Sequence, residues 1–380
     1  MTERERFLAT LRYQDRDRSP ISDFGFWDET LVIWREQGLP EWVDKTNTDR
    51  AFGMDNYEPS SGINPELCPW FPYEVLEDRG ENEVVQQIDG VRVLKGKFMG
   101  SIPQHLEHLL VDRESWEKHY KPRLDPAHPD RFPADLETRA RSWRDPARET
   151  VLGLFCGSLF GRIRDWMGVE NVSYVVYDDP AFFEEMVTTV ADCIYGTLER
   201  ILATGGIFDC AHFWEDMCFN NGPLLSPTHF RRFIVPHYRR ITDLLHRHGI
   251  DIIWVDCDGK IDALIPHWME AGVNAMFPIE VGTWGADPVA LRREYGNDLL
   301  LIGGFDKHIL ARSTAEIDAE IRRLTPLVEA GGFIPLPDHR VPPDVSLRNY
   351  LHYLDRARHI WGRDTHLRPM EVSLATLASP

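Results

Sequence analysis

A chain of 380 residues with 43% hydrophobic and 11% aromatic content can bury a sizeable core, which excludes a mainly disordered protein. Its 61 acidic against 42 basic residues give a formal net charge of −19, a surface that repels nucleic acid and anionic membranes, and no Lys/Arg-rich block offsets it. No run approaches the roughly 18–20 apolar residues of a membrane span, and the start MTERERFLATLRYQDRDRSP is too charged for a signal peptide, so a cytoplasmic protein with neither membrane nor nucleic acid as partner is expected.

Thr2 and Glu5 stand at capping-box spacing with Phe7, Leu8 and Leu11 on one face, which predicts a first helix of about ten residues ended by DRDRSP. PISDFGFW reads as a first strand. Residues 28 to about 145 show no repeat and include a small β excursion around VVQQIDGVRVLKGKFMG. From about residue 150 apolar runs alternate with helical stretches. The runs are TVLGLFCGS, GIFDCAHFWED, DIIWVDCDG, NAMFPIEVG, LLLIGGFDK and GFIPLPDH, and many of the intervening helices close on Gly. Apolar runs without strict alternation belong to parallel strands covered on both sides. With PISDFGFW and a segment near VRVLKGKF they can supply the eight strands of a (β/α)8 barrel; the rival, a doubly wound sheet, lacks a GxGxxG after an early strand. The expected fold class is therefore α/β, a TIM-type barrel with an elaborated N-terminal segment. It is expected as one domain over 1–380: helix, first strand and elaborations in 1–149, regular β/α units in 150–365, a tail in 366–380. The six cysteines (Cys68, Cys156, Cys193, Cys210, Cys218, Cys257) form no CxxC pair and read as free thiols.

In a barrel the C-terminal tips of the strands converge on one pocket. Those tips offer Asp23; Cys156 and Ser158; His212, Glu215 and Asp216; Asp256, Cys257 and Asp258; Glu280; Asp306 and Lys307; Asp338 and His339. Bland readings stand beside them. Acids after strands are common helix N-caps, which covers Asp306 and either of Asp256 and Asp258, and also Asp344. His212 lies within an apolar run as a core histidine would, and Cys156 and Cys210 suit small buried positions. The number of acids favours function, because so many carboxylates at neighbouring tips need a divalent metal or a cationic group to neutralise them.

At the segments RERFLATLRYQDRDRSPI, SIPQHLEHLLVDRESWEKHYKPRLDP, GLFCGSLFGRIRDWMGVENVSYVVYDDPAFFEEMV, LLSPTHFRRFIVPHYRRI and GGFIPLPDHRVPPDVSLRNYLHYLDRAR the chain resembles the uroporphyrinogen decarboxylase superfamily, whose barrel is shared with corrinoid-linked methyltransferases. The resemblance covers nearly the whole chain. True uroporphyrinogen decarboxylases carry an arginine-rich motif after the first strand, where this chain has DFGFWDETLVIWRE with no arginine before Arg35; Arg162, Arg164 and Arg340 are the arginines near tips. In the coenzyme M methyltransferases a His-x-Cys-Gly tip and a later cysteine bind zinc. Asp256-Cys257-Asp258-Gly259 stands at that tip and Asp338 or His339 near the later cysteine, so the thiolates are replaced by harder donors.

The resemblance thus implies methyl transfer from a small O- or N-methylated compound to a cobalamin on a separate corrinoid protein, since nothing in this chain looks like a corrinoid domain. Zinc or another divalent metal is expected on Glu215, Asp258 and His339. Asp256, Glu280 and Asp306 are the expected acid/base groups, with Asp23, Trp27, Cys156, His212 and Arg340 around the substrate; Trp214 and Trp254 are further candidate walls. Relatives commonly form homodimers. Two alternatives stay open: a cofactor-free decarboxylase using Asp23 or Asp306, and a non-catalytic binding barrel.

Overall fold

The computed structural model describes residues 1–55, 61–97 and 102–377. The chain forms two compact units, one drawn from Met1–Pro59, Arg148–Val151 and Asn274–Pro380, the other from Ser60–Ala147 and Leu152–Val273.

In the first unit the helix Glu3–Leu11 starts at the expected capping box of Thr2 and Glu5. PISDFGFW does not form the expected strand. Its backbone donors go to side chains instead: Ile21 N to Asp55 Oδ2 (2.8 Å) and Gly25 N to Asp23 Oδ1 (2.8 Å), so only Phe26 makes a parallel bridge, with Val341.

The second unit opens on an antiparallel meander of β1 (Glu74–Arg79), β2 (Asn82–Gln86), β3 (Arg92–Gly96) and β4 (Gln104–Glu107). This is the expected excursion, although Phe98, Met99 and Gly100 at its predicted end lie outside the described residues. VRVLKGKF is therefore no barrel strand: alternation buries Val91 and Val93 against Val85 while Arg92 stays exposed, the pattern of a one-sided antiparallel sheet.

The six apolar runs all become strands. In the second unit β5 (Gly153–Phe155), β6 (Cys210–Trp214) and, after a short hairpin of β7 (Cys218–Phe219) with β8 (Gly222–Pro223), β9 (Ile253–Asp256) pair in parallel in the order β5-β6-β9. The helix Pro180–Leu202 begins with Asp179 capping Phe182 N and buries Phe183, Met186, Val190, Ile194, Leu198 and Ile201 at three- and four-residue spacing. The helical segment Pro227–Arg247 contains a wide turn over Phe230–Ile234, as expected just before Pro236, which has no N–H to donate and crowds the preceding turn.

In the first unit β10 (Ala275–Ile279), β11 (Leu300–Phe305) and β12 (Phe333–Pro337) are parallel and buried along their whole length. Ser313 and Glu316 form a second capping box at the start of the helix Thr314–Ala330. All six cysteines are free and buried, and among the described residues no helix is long and apolar enough to cross a membrane.

Candidate functional site

In the second unit the ends of β6 and β9 carry the acids. Glu215 and Asp216 follow the end of β6, and Asp216 leaves the extended conformation with φ 41°, so the two adjacent acids take different surroundings. Glu215 is fully buried. Its carboxylate accepts hydrogen bonds from Ser158 Oγ, Leu159 N, Phe160 N and Gly161 N, each at 2.9 Å, and from the Tyr238 hydroxyl at 2.5 Å. Five donors fill both oxygens, so the expected metal role of Glu215 is not what the structure gives: the acid clamps the segment after β5, including the first turn of the helix Gly161–Met167. Residue 161 has to be glycine here, because a Cβ would come within 2.1 Å of Glu215 O.

Asp216, with φ 41°, instead joins Asp256 and Asp258, and the three offer ligand oxygens all within 4.8 Å of one another. Asp258 N donates to Asp216 Oδ1 at 3.2 Å. Burial, and then the charge of Asp258, push the Asp216 carboxyl up to about 7. Such a trio suits a hard divalent cation. Cys257, between two of these acids, turns inward: it is fully buried, accepts from Met217 N at 3.3 Å, and burial raises its thiol pKa well above the usual range.

Two further residues expected near the substrate, Cys156 and His212, lie just after β5 and on β6. Cys156 is fully buried, and burial holds its thiol protonated. His212 lies in a layer across three strands, in register with Phe155 and Trp254 and stacked on the Trp254 ring at 5.0 Å and 8°. Burial lowers its pKa to about 4, so it is neutral. Trp214 is covered by the Arg162 guanidinium at 4.2 Å from its ring centre, and Arg162 is held by Glu66 at 2.5 Å and Asp165 at 3.4 Å.

In the first unit Trp27, His339 and Arg340 come together with Phe24, the residue after Asp23. Phe24 meets the His339 ring edge-on at 5.1 Å, Trp27 stacks on it at 5.8 Å, and the Arg340 guanidinium lies 5.3 Å from the Trp27 ring centre. Asp23 accepts from the Tyr350 hydroxyl, and burial, outweighing the hydrogen bonds from Tyr350 and Gly25, pushes its pKa up to about 6. It lines a cavity of about 290 Å³ with Lys45, Asp49 and Asp55 also in the wall. Sequence reasoning missed Tyr350, whose spacing in the helix Leu347–Ile360 is that of an ordinary core residue.

Glu280 is buried, accepts from Thr283 Oγ1 at 2.8 Å and lies 4.0 Å from Lys307 Nζ; it and His339 offer ligand atoms within 4.8 Å of each other. Asp306 fills the helix-cap role that the sequence also allowed it. Its Oδ1 caps the helix Lys307–Leu310 through His308 N and touches His308 Nδ1, both at 2.9 Å. Asp338 is fully buried and accepts from Gly282 N and Lys307 N, both at 2.9 Å.

A methyltransferase from Methanosarcina mazei is similar in structure, with a TM-score of 0.59 and 13% identity over 94% of this chain and 98% of that one. A likeness at that identity speaks for the fold, the TIM-type α/β barrel class expected above, and not for activity. No curated protein matches by sequence. The family model described as uroporphyrinogen decarboxylase (URO-D) matches residues 100–360, well over half of the chain, and takes in β5, β6 and β9 to β12 with the acids at their ends. The chain belongs to the uroporphyrinogen decarboxylase family.

Proposed function

We propose that this chain is a methyltransferase, which moves a methyl group from a small O- or N-methylated compound to a cobalamin held by a separate carrier protein, with zinc or another divalent metal assisting, in the cytoplasm. The observation that carries the reading is the trio Asp216, Asp256 and Asp258, three hard donors within 4.8 Å. Asp258 keeps its expected ligand role, with Asp216 and Asp256 in place of Glu215. His339 remains a ligand candidate within its own unit, beside Glu280. A bound divalent ion would supply Lewis acidity toward the oxygen or nitrogen that loses the methyl group.

Charge also weighs against a polycarboxylate substrate. The cavity beside Asp23 has three acids in its wall, and its one cation, Lys45, is paired with Asp28 at 2.6 Å. Asp55 of that wall is bound to Arg18 at 2.5 Å. A cofactor-free carboxy-lyase is the second reading, favoured by the raised pKa of Asp23 in that cavity.

Elemental analysis of tag-free protein separates the two. Methyl transfer with a metal predicts about one divalent ion per chain, lost in Asp258→Ala, and a change in the cobalamin spectrum when a methylated substrate meets protein and corrinoid carrier. A metal-free protein, with a flat spectrum across methoxy and methylamine compounds, would overturn it and leave the lyase.

A further inference from the structure

A second cavity lies wholly within the second unit. It has a volume of about 500 Å³, and its lining includes Trp70, Tyr73, Asp89, Arg162, Trp166 and Glu66. That size suits a small organic molecule rather than an ion. Trp166, 1% exposed, is a fixed floor, while Trp70 and Tyr73 are exposed, at 38% and 50%, the Tyr73 ring carrying the Lys95 ammonium near one face. Exposed aromatics gathered round a concavity are what a planar ring stacks on.

The charges select among rings. Arg162 is the cation of the lining, held by Glu66 and Asp165, and Lys95, whose Nζ lies 5.2 Å from the Tyr73 ring centre, is held by Glu83 at 3.2 Å, so both charges are matched before any ligand arrives. Asp89 adds a further acid, with Oδ1 accepting from Val91 N at 3.0 Å. An arene carboxylate therefore meets acids without a spare cation, whereas an uncharged ring with oxygen substituents meets aromatic faces and hydrogen-bonding groups. One lining residue, Arg162, leads from the cavity toward the acids at the strand ends. Arg162 covers Trp214, Trp214 is in register with Asp256 on β9, and Asp216 follows two residues later.

We infer that this cavity binds an uncharged, oxygen-substituted arene, a methoxyarene when it is a substrate. As a substrate site the inference rests on the methyl-transfer reading; as a binding site it does not. The test is calorimetric titration of the full chain, without carrier or corrinoid, with 2-methoxyphenol, with its ring carboxylate 4-hydroxy-3-methoxybenzoate, and with trimethylphenylammonium. Saturable binding of 2-methoxyphenol is expected, at least tenfold tighter than the carboxylate and about tenfold weaker in Trp70→Ala and in Tyr73→Ala, two exposed positions where folding is not at stake. Asp89→Asn should narrow the gap between the neutral ring and the carboxylate. Preference for the carboxylate or for the ammonium, binding indifferent to both aromatic changes, or no binding beside a dimer that Trp70→Ala dissolves would each overturn it. Binding without methyl transfer to a corrinoid carrier would sink the proposed activity and leave the arene site standing.

Discussion

Two neighbouring acids, Glu215 and Asp216, have opposite fates, and nothing in HFWEDM tells them apart. The difference comes from where five donors lie, and three of them belong to backbone more than fifty residues away. Removing the Glu215 carboxylate leaves buried donors unpaired, so Glu215→Ala should lose at least about 3 kcal/mol of stability in denaturant titration. Glu215→Gln, which keeps the volume, should lose less and leave metal content unchanged. Metal loss in a well-folded Glu215→Gln protein would restore Glu215 as a ligand. Asp23 gives a pH signature. Its folded pKa of about 6 lies above the unfolded value near 3.9, so its contribution is fully favourable below about pH 4 and is lost as pH rises through about 6. Asp23→Asn should thus raise the melting temperature at pH 8, by the equivalent of about 1–3 kcal/mol, and change little at pH 4. An equal effect at both pH values would show that burial of its charge is not what Asp23 contributes.

At the scale of elements the six apolar runs were legible because strands covered on both faces need continuous hydrophobicity, and helices between them carry their own caps. The first strand was misread for a local reason. PISDFGFW has the right residues, but Asp23 and Asp55 satisfy its amides, a competition between side chain and ladder that hydrophobicity does not record. VRVLKGKF was assigned to the wrong sheet because a strand's alternation fixes its faces and not its partner. The tip acids were readable as a set. Asp306 and Glu215 were not separable from the others, since a cap, a clamp and a ligand all ask for a carboxylate after a strand. One glycine tests strand packing directly. Gly303 has φ 109°, and a Cβ there would stand 2.7 Å from Ile279 N on β10. Gly303→Ala should cost about 1–3 kcal/mol in thermal or denaturant unfolding; an unchanged midpoint would mean that β10 and β11 can part there freely.

Over the whole molecule, the charge of −19 sets what approaches the surface. The chain should show no retention on duplex DNA at about 0.1 M salt, where the Debye length is about 10 Å; retention in a filter assay would demand a basic patch that the sequence does not display. The long-range clamp has a further consequence, for the order of assembly. Glu215 reaches Ser158, 57 residues before it, and Tyr238, 23 residues after it, and the helix that carries Arg162 starts from that junction. No short stretch of the chain can therefore hold the arginine over Trp214 by itself, and the arrangement forms only when three distant segments have met. Once closed, it presents its groups already immobilised, so an incoming ring loses its own freedom and takes little from the protein.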